Sequence, residues 1–301
     1  VSNSEIDLAV VPVAGLGTRL LPATKSQPKE MLPVGRKPVV QYVAEELALS
    51  GIRRLLFVTG ARKTQIENHF DEDGELLRLL RTTGKEEQLA ELSFERMKME
   101  YFYTRQRRQL GLGDAIRCAE PLVVDQPFVV ALGDSIIGLH AKSDIVRRMR
   151  EVFVEEKAGA VVAFEQVPRE EVVLYGIAGP KGDAGDVFEL ARIVEKPSVA
   201  DAPSDLAVAA RYVFDSEIFE HLRSLPPGKN GEIQLTDAIQ RLIESGRKVL
   251  GVRLATEERR FDIGNYESYF EAFLEFALTD PRQGKSLRRF VRQWLDEHGE
   301  E

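Results

Sequence analysis

The 301-residue sequence contains one cysteine, Cys118. A single thiol excludes an internal disulfide and any CxxC zinc or redox pair. Its setting, Ile116-Arg117-Cys118-Ala119, reads as a structural thiol in a helix. Histidine is also sparse: His69, His140, His221 and His298 lack the HxxxH or HExxH spacing of a histidine metal site. No apolar run approaches the ~20 residues of a membrane span, and the polar Val1–Asp7 has no signal-peptide pattern. A cytoplasmic protein with no membrane partner is therefore expected. A basic surplus is missing too: 41 Lys and Arg stand against 49 Asp and Glu, a net charge of −8. That balance argues against nucleic acid as a partner. Internal repeats and low-complexity tracts are absent.

What the chain does have is alternation. Short apolar runs at Leu8–Val13, Leu55–Val58, Met99–Thr104, Phe128–Leu132 and Ala160–Glu165 read as buried strands. Between them, helical spacing predicts helices over Val39–Leu49, Thr64–Phe70, Gly74–Arg96, Leu112–Ala119 and Asp144–Lys157. Beyond about residue 170 the pattern loosens. Gly176–Gly185 reads as a hairpin or loop, Val187–Glu195 and Leu206–Phe214 as strands, and Ser198–Asp205 as a linker. Helices are expected at about Ser216–Leu225, Leu235–Ser245 and Tyr266–Leu278, with a strand at Val249–Leu254. The expected fold is α/β, a Rossmann-like mixed, mainly parallel sheet flanked by helices, with a small β region and a C-terminal helical arm. One catalytic domain is expected over residues 1–264, with a nucleotide half to about 135 and a sugar half over 136–264. The arm takes 265–301. In it, Leu287, Phe290, Val291, Trp294 and Leu295 form an apolar stripe suited to packing or a subunit contact.

The most informative stretch follows the first strand: Ala14-Gly15-Leu16-Gly17-Thr18-Arg19. A glycine pair at a strand's end lets backbone N–H groups approach a phosphate. Leu20 stands where a dinucleotide fingerprint needs its third glycine, and Gly284-Lys285-Ser286 has Thr279 where a Walker loop needs its first. Neither motif is complete. From Gly15 to Pro38 no periodic element is evident, and a loop of this length inside a compact domain is usually functional. Arg19, Lys25, Lys29, Arg36 and Lys37 there face the single Glu30, a local excess of four positive charges in an acidic chain. Three prolines, Pro22, Pro28 and Pro33, fix its path. The pattern fits a loop that clamps phosphates. Asp134, just after the buried run Phe128–Leu132, stands where α/β sheets present carboxylates to ligands.

These residues resemble a known family. Gly15–Lys25, Pro28–Val34, Lys37-Pro38, Ile66–Phe70, Gly111-Leu112-Gly113, Tyr175-Gly176, Val194–Pro197, Glu232–Ile239 and Phe261–Asn265 look like the ordered motifs of sugar-1-phosphate nucleotidylyltransferases. Within that family they are most similar to the bacterial UTP–glucose-1-phosphate uridylyltransferases, over nearly the whole chain. The resemblance implies Mg²⁺-dependent transfer of UMP from UTP to glucose 1-phosphate, with release of pyrophosphate. It implies that Arg19 grips the triphosphate and Lys29 the α-phosphate. Ala14, Gly15, Gly17 and Glu30 would hold the nucleotide. Gln106 and Gly111 would select the base, an amide offering both donor and acceptor to the imide edge of uracil or thymine. Glu195 would accept from sugar hydroxyls and Lys196 would neutralise the sugar phosphate, with Gly176 giving backbone room beside the sugar. Asp134 and Asp262 would hold the Mg²⁺. Relatives of this kind form homodimers or homotetramers.

Three positions depart from the uridylyl pattern: Gly133 replaces a proline, Asp205 an asparagine and Ala210 a glycine. They bear on which hexose and which base fit, and leave a thymidylyltransferase or a uridylyltransferase for another hexose 1-phosphate as alternatives. A non-catalytic nucleotide-sugar sensor on the same fold is the rival of another class. The presence of Arg19, Lys29, Asp134 and Asp262 together weighs against it.

Overall fold

A computed structural model describes residues 6–228 and 231–299. Of the polar segment read at the N-terminus, only Ile6 and Asp7 lie within them. The first half builds a parallel core. Strand β1 (Leu8–Pro12) leads into the basic segment, which carries three short 3-10 turns and a two-stranded ribbon of β2 (Pro33–Val34) and β3 (Lys37–Pro38). Helix α1 (Val39–Leu49), β4 (Arg54–Thr59), α2 (Thr64–Phe70), α3 (Gly74–Thr82), α4 (Glu86–Glu91) and β5 (Glu100–Arg105) follow, then α5 (Leu112–Arg117), α6 (Glu120–Val123) and β6 (Phe128–Ala131). Strands β5, β4, β1 and β6 lie side by side, all parallel.

The second half is mostly antiparallel. After β7 (Ser135–Ile137) and α7 (Ile145–Glu155) come β8 (Ala160–Gln166), β9 (Gly176–Pro180), β10 (Val187–Glu195) and β11 (Leu206–Phe214). Then follow α8 (Ile218–Ser224), α9 (Leu235–Glu244), β12 (Val249–Arg253) and β13 (Arg260–Asp262), before the arm helices α10 (Tyr266–Leu278) and α11 (Gly284–His298). Among the described residues one nine-stranded sheet runs β5-β4-β1-β6-β11-β8-β12-β10-β9, and β7 pairs with β13 in a small separate sheet. The mixed α/β sheet with a small β region is as expected, but parallel pairing is concentrated in the first half of the chain. Among the described residues beyond β6, only β12 and β8 run parallel. The reason is local: β9–β10 is a hairpin, and β11 enters beside β6 in the opposite sense.

Burial on both faces explains the apolar strands. In β1, Leu8 and Val10 join a cluster with Ile116 of α5 and Leu222 of α8, while Ala9 and Val11 join one with Val43 and Leu47 of α1. Successive side chains point to opposite faces, so a run without alternation fits a strand covered twice. The expected helix over Gly74–Arg96 is instead divided into α3, α4 and a 3-10 turn at Ser93–Arg96. Gly84, with φ +66°, turns the chain after α3, and the Lys85 N–H donates back to the Leu80 carbonyl at 2.9 Å. A third cluster joins Val34 of the ribbon, Tyr42 of α1, Ile136, Phe261 and Phe276 of α10. It fastens the first arm helix to the body beside the small sheet. No described helix is long and apolar enough to cross a membrane.

Candidate active site

The order β5-β4-β1-β6 reverses the direction of sheet growth between β1 and β6. In open α/β sheets the crevice at the carboxyl ends of strands flanking such a reversal is where ligands bind. The basic segment leaves the end of β1 there, and Asp134 follows β6. A cleft of about 420 Å³ opens at this edge and extends over β11 to the end of β10. It gathers Arg19, Asp134, Gly176, Glu195, Lys196 and Asp262 from the residues expected to act. Ala14, Gly15, Gly17, Gln106 and Gly111 lie on adjoining segments instead, and Leu112, next to Gly111, reaches the cleft wall.

On the phosphate side, Gly17 takes φ +67° and opens the 3-10 turn Thr18–Leu20, which leaves Arg19 exposed at the cleft. A Cβ on Gly15 would lie 3.7 Å from Lys29 Cε, so the glycine backbone and the Lys29 side chain are neighbours. Lys29 donates to Asp134 Oδ2. Burial works to lower the Lys29 pKa, but Asp134, Glu30 and Asp262 outweigh it and hold the ammonium above its ordinary range. Glu30 faces away from the cleft. Its carboxylate is buried and takes Lys63 Nζ at 2.7 Å, which anchors the basic segment to the start of α2. Burial pushes the Glu30 pKa up, and Lys63 and Lys29 pull against it.

The two aspartates meet although 128 positions separate them in sequence. Strand β13 pairs with β7 so that Asp262 stands opposite Ser135, and the Ile263 N–H donates to the Asp134 carbonyl at 3.3 Å. Burial raises the Asp134 pKa, but the Lys29 charge and hydrogen bond outweigh it, so its carboxyl titrates low. Asp262 moves the other way, raised by burial and then by the Asp134 charge. Two neighbouring, partly exposed carboxylates that repel are a fitting seat for a hard divalent cation. Among the described residues no group of three or more protein ligands exists. Mg²⁺ is commonly bound by one or two carboxylates with substrate phosphates and water completing six oxygens, so the donor set fits that ion.

On the sugar side, Glu195 Oε2 accepts from Thr236 Oγ1 at 2.5 Å, beside Gly176. A Cβ on Gly176 would stand 3.1 Å from Thr236 and 3.4 Å from that carboxylate oxygen, so glycine keeps this wall open. Lys196 turns out of β10 with φ +44° and its ammonium is exposed. Arg260 lies just outside the sequence motifs, and Thr236 lies within Glu232–Ile239 without a role assigned to it there. Arg260 is held by Glu165, lies 3.3 Å from Asp262 Oδ2, and stacks over Tyr175 at 4.6 Å. Their signal is tertiary, since an arginine in a three-residue strand has no distinctive spacing.

The departures sort differently once placed. Ala210 lines the cleft at φ +59°, within a bulge where the β11–β8 register shifts between Val208 and Tyr212. Asp205 lies outside the cleft, where its carboxylate accepts from Gln166 Nε2 at 2.9 Å. A Cβ on Gly133 would stand 2.5 Å from Val13 Cγ1, so its glycine accommodates packing under β1.

On the base side, both Gln106 Nε2 protons are engaged within the chain, by the Gly111 carbonyl at 3.0 Å and Asp114 Oδ2 at 2.9 Å. Only Oε1 is left to accept from a base. Gly111 has φ +95°, and its missing Cβ points at the Ile233 carbonyl rather than at a ligand. Its conformational freedom serves the contact between its loop and Ile233, whose N–H donates to the Leu110 carbonyl at 2.7 Å.

The Nucleotidyl transferase family profile matches residues 8–278. A UTP–glucose-1-phosphate uridylyltransferase of Staphylococcus epidermidis is 39% identical over 289 residues, covering 96% of this chain and 98% of the relative. A UTP-bound UGPase from Acinetobacter baumannii superposes with a TM-score of 0.86 at 36% identity, covering 95% of this chain and 99% of that one. A UDP-glucose pyrophosphorylase complexed with UDP-glucose does so with a TM-score of 0.81 at 36% identity, over 90% and 98% of the two chains. A profile match over most of the chain, on a fold with this cleft, places the chain in the nucleotidyl transferase family.

Proposed function

We propose that the chain transfers UMP from UTP to glucose 1-phosphate, yielding UDP-glucose and pyrophosphate, with Mg²⁺ held by Asp134 and Asp262. The observation that carries this reading is the convergence of Asp134 and Asp262 with the Glu195–Thr236 pair in one cleft, with Lys29 paired to Asp134 beside it. The uridylyl and glucosyl specificities rest on the relatives, which share over a third of their residues with this chain.

The chemistry asks for charge rather than a base. A sugar-phosphate oxygen, already anionic, forms a bond to the α-phosphorus, and the bond to the β-phosphate oxygen breaks as pyrophosphate leaves with the electron pair. Mutual repulsion of polyanions and the developing charge are the obstacles. Lys29 stays protonated, and with one proton on Asp134 it keeps two donors for α-phosphate oxygens. Arg19 meets the triphosphate at the cleft mouth, and the backbone at Ala14, Gly15 and Gly17 lines its approach. Mg²⁺ held by Asp134 and Asp262 would supply positive charge against the phosphates. Glu195 accepts from sugar hydroxyls, with Thr236 fixing its rotamer, and Lys196 reaches the sugar phosphate. Gln106 Oε1 accepts the imide N–H of uracil, a contact that thymine offers equally. Self-association through the arm and a cytoplasmic setting belong to the same reading.

The test is pyrophosphate release from UTP and glucose 1-phosphate with Mg²⁺. Its absence overturns the reading, and dTTP or another hexose 1-phosphate acting better revises the substrates. Thermal stabilisation by UDP-glucose without turnover would mark a sensor instead. Asp134→Asn is expected to lower kcat by roughly 10²-fold or more with the fold retained, the scale of losing one transition-state charge contact. A fully active variant refutes the metal role.

A further inference from the structure

Beneath the cleft lies an ion pair sealed from water. Arg211 of β11 and Glu46 of α1 have side chains 0% and 1% exposed. Arg211 Nε donates to Glu46 Oε1 at 3.1 Å and Nη2 to Oε2 at 2.5 Å. A buried pair of this kind is weak evidence for stability, because apolar residues of similar volume often serve the fold as well or better. Its other hydrogen bonds are more specific. Nη1 donates to the Ala210 carbonyl at 3.0 Å, and Nη2 also donates to the Ser135 carbonyl at 2.9 Å.

Those two carbonyls belong to the two halves of the cleft. Ala210 lies in the bulge on the sugar side, and its carbonyl also accepts the Leu132 N–H at 3.1 Å. Ser135 directly follows Asp134 and pairs with Asp262 across the small sheet. Glu46 stands on the helix that continues from the basic segment. One planar guanidinium thus ties the phosphate side, the sugar side and the helix behind the clamp. Fully buried, it touches no substrate.

We propose that Arg211, held by Glu46, is a positioning residue for nucleotidyl transfer: it sets the Ala210 bulge and the Asp134–Ser135 turn in one relative geometry. The proposal rests on the cleft being a nucleotidyl-transfer site. Wild-type turnover tests that reading separately, because its absence removes the reading whatever the variants do.

Two variants test the inference in the full chain. The double variant Glu46→Leu with Arg211→Met replaces the pair by apolar side chains and should melt within about 4 °C of wild type. Its kcat/KM for glucose 1-phosphate should fall at least about tenfold, since misplacement of reacting groups by an ångström is costly. The KM for glucose 1-phosphate and the Mg²⁺ concentration giving half-maximal turnover should both rise. Arg211→Lys keeps a charge for Glu46, but one ammonium cannot span both carbonyls and the carboxylate in the same plane. It should fold and show the same pattern, and it decides the matter if the double variant does not fold. A merely structural pair gives a lower kcat alone, through less active protein, with both KM values and the Mg²⁺ dependence unchanged. That result, or wild-type kinetics in either folded variant, overturns the proposal.

Discussion

Two residues with left-handed backbones carry opposite costs at the site. At Gly111, φ is +95° and a Cβ would stand 2.7 Å from the Ile233 carbonyl oxygen. An alanine there meets a backbone penalty of about 1–2 kcal/mol and an overpacking penalty of similar size. Gly111→Ala is expected to lose about 3 kcal/mol, read as a lower urea midpoint at unchanged slope. Ala210, at φ +59°, already bears the backbone penalty. Glycine there relieves about 1–2 kcal/mol and gives up one buried methyl at about 0.8 kcal/mol. Ala210→Gly should therefore stay within about 1 kcal/mol of wild type while widening the sugar side. A loss above about 2 kcal/mol shows that methyl packing outweighs the strain. In the sequence both positions were visible as family glycines, kept in one case and replaced in the other. Their physical reasons were not, because Ile233 and the β8 register are distant in the chain.

Among the elements, α2 shows how burial writes a pH response. His69 in its last turn stacks on Phe94 at 4.8 Å and meets Gln41 of α1 at 3.1 Å. Burial lowers its pKa below the ordinary 6.5, with Glu45 pulling weakly upward. The folded chain then resists protonation more than the unfolded one does. The contribution of neutral His69 is fully present above pH 6.5 and is lost as pH falls through the interval below it. The stability gap between wild type and His69→Asn should be widest above pH 6.5 and shrink toward pH 5. A pH-independent gap in urea titrations contradicts this. Taking the difference cancels the buried Glu30 and Glu46 and the half-buried Asp262, whose raised pKa values act in the opposite sense. At this scale the sequence was informative. Helices α1, α2 and α10 and strands β10 and β11 fall where the local pattern predicted, because each is a continuous run whose apolar residues meet the core. The pairing of β7 with β13 was hidden, since three residues show no period.

For the whole molecule, the first arm helix packs on the body while the second is largely exposed. Helix α11 has Gly284 alone fully buried, and it leaves Phe290 63% and Trp294 48% exposed. Lys285, Arg288, Arg289 and Arg292 lie along its start and middle, and its end carries Asp296 and Glu297. An antiparallel second copy would set the basic stretch against the acidic end and cover the aromatic stripe, the kind of anchors that dominate interfaces. Light scattering of the wild type should give a multiple of the single-chain mass, and Trp294→Glu should give one chain. A wild type that is a single chain at assay concentrations removes this contact.

The sequence by itself determined the α/β alternation, the doubly covered strands and the basic glycine segment after β1. Each of these is written in neighbouring residues, as hydrophobic period or local charge. Only the tertiary structure decided which of those charges reach the cleft and which are paired within the chain. Lys29 meets Asp134 across 105 positions, and Arg211 meets Glu46 across 165. Glu30, beside Lys29 in sequence, turns inward to Lys63. A charged side chain's role is set by its partner and its exposure, and both are products of chain crossings that no local pattern contains.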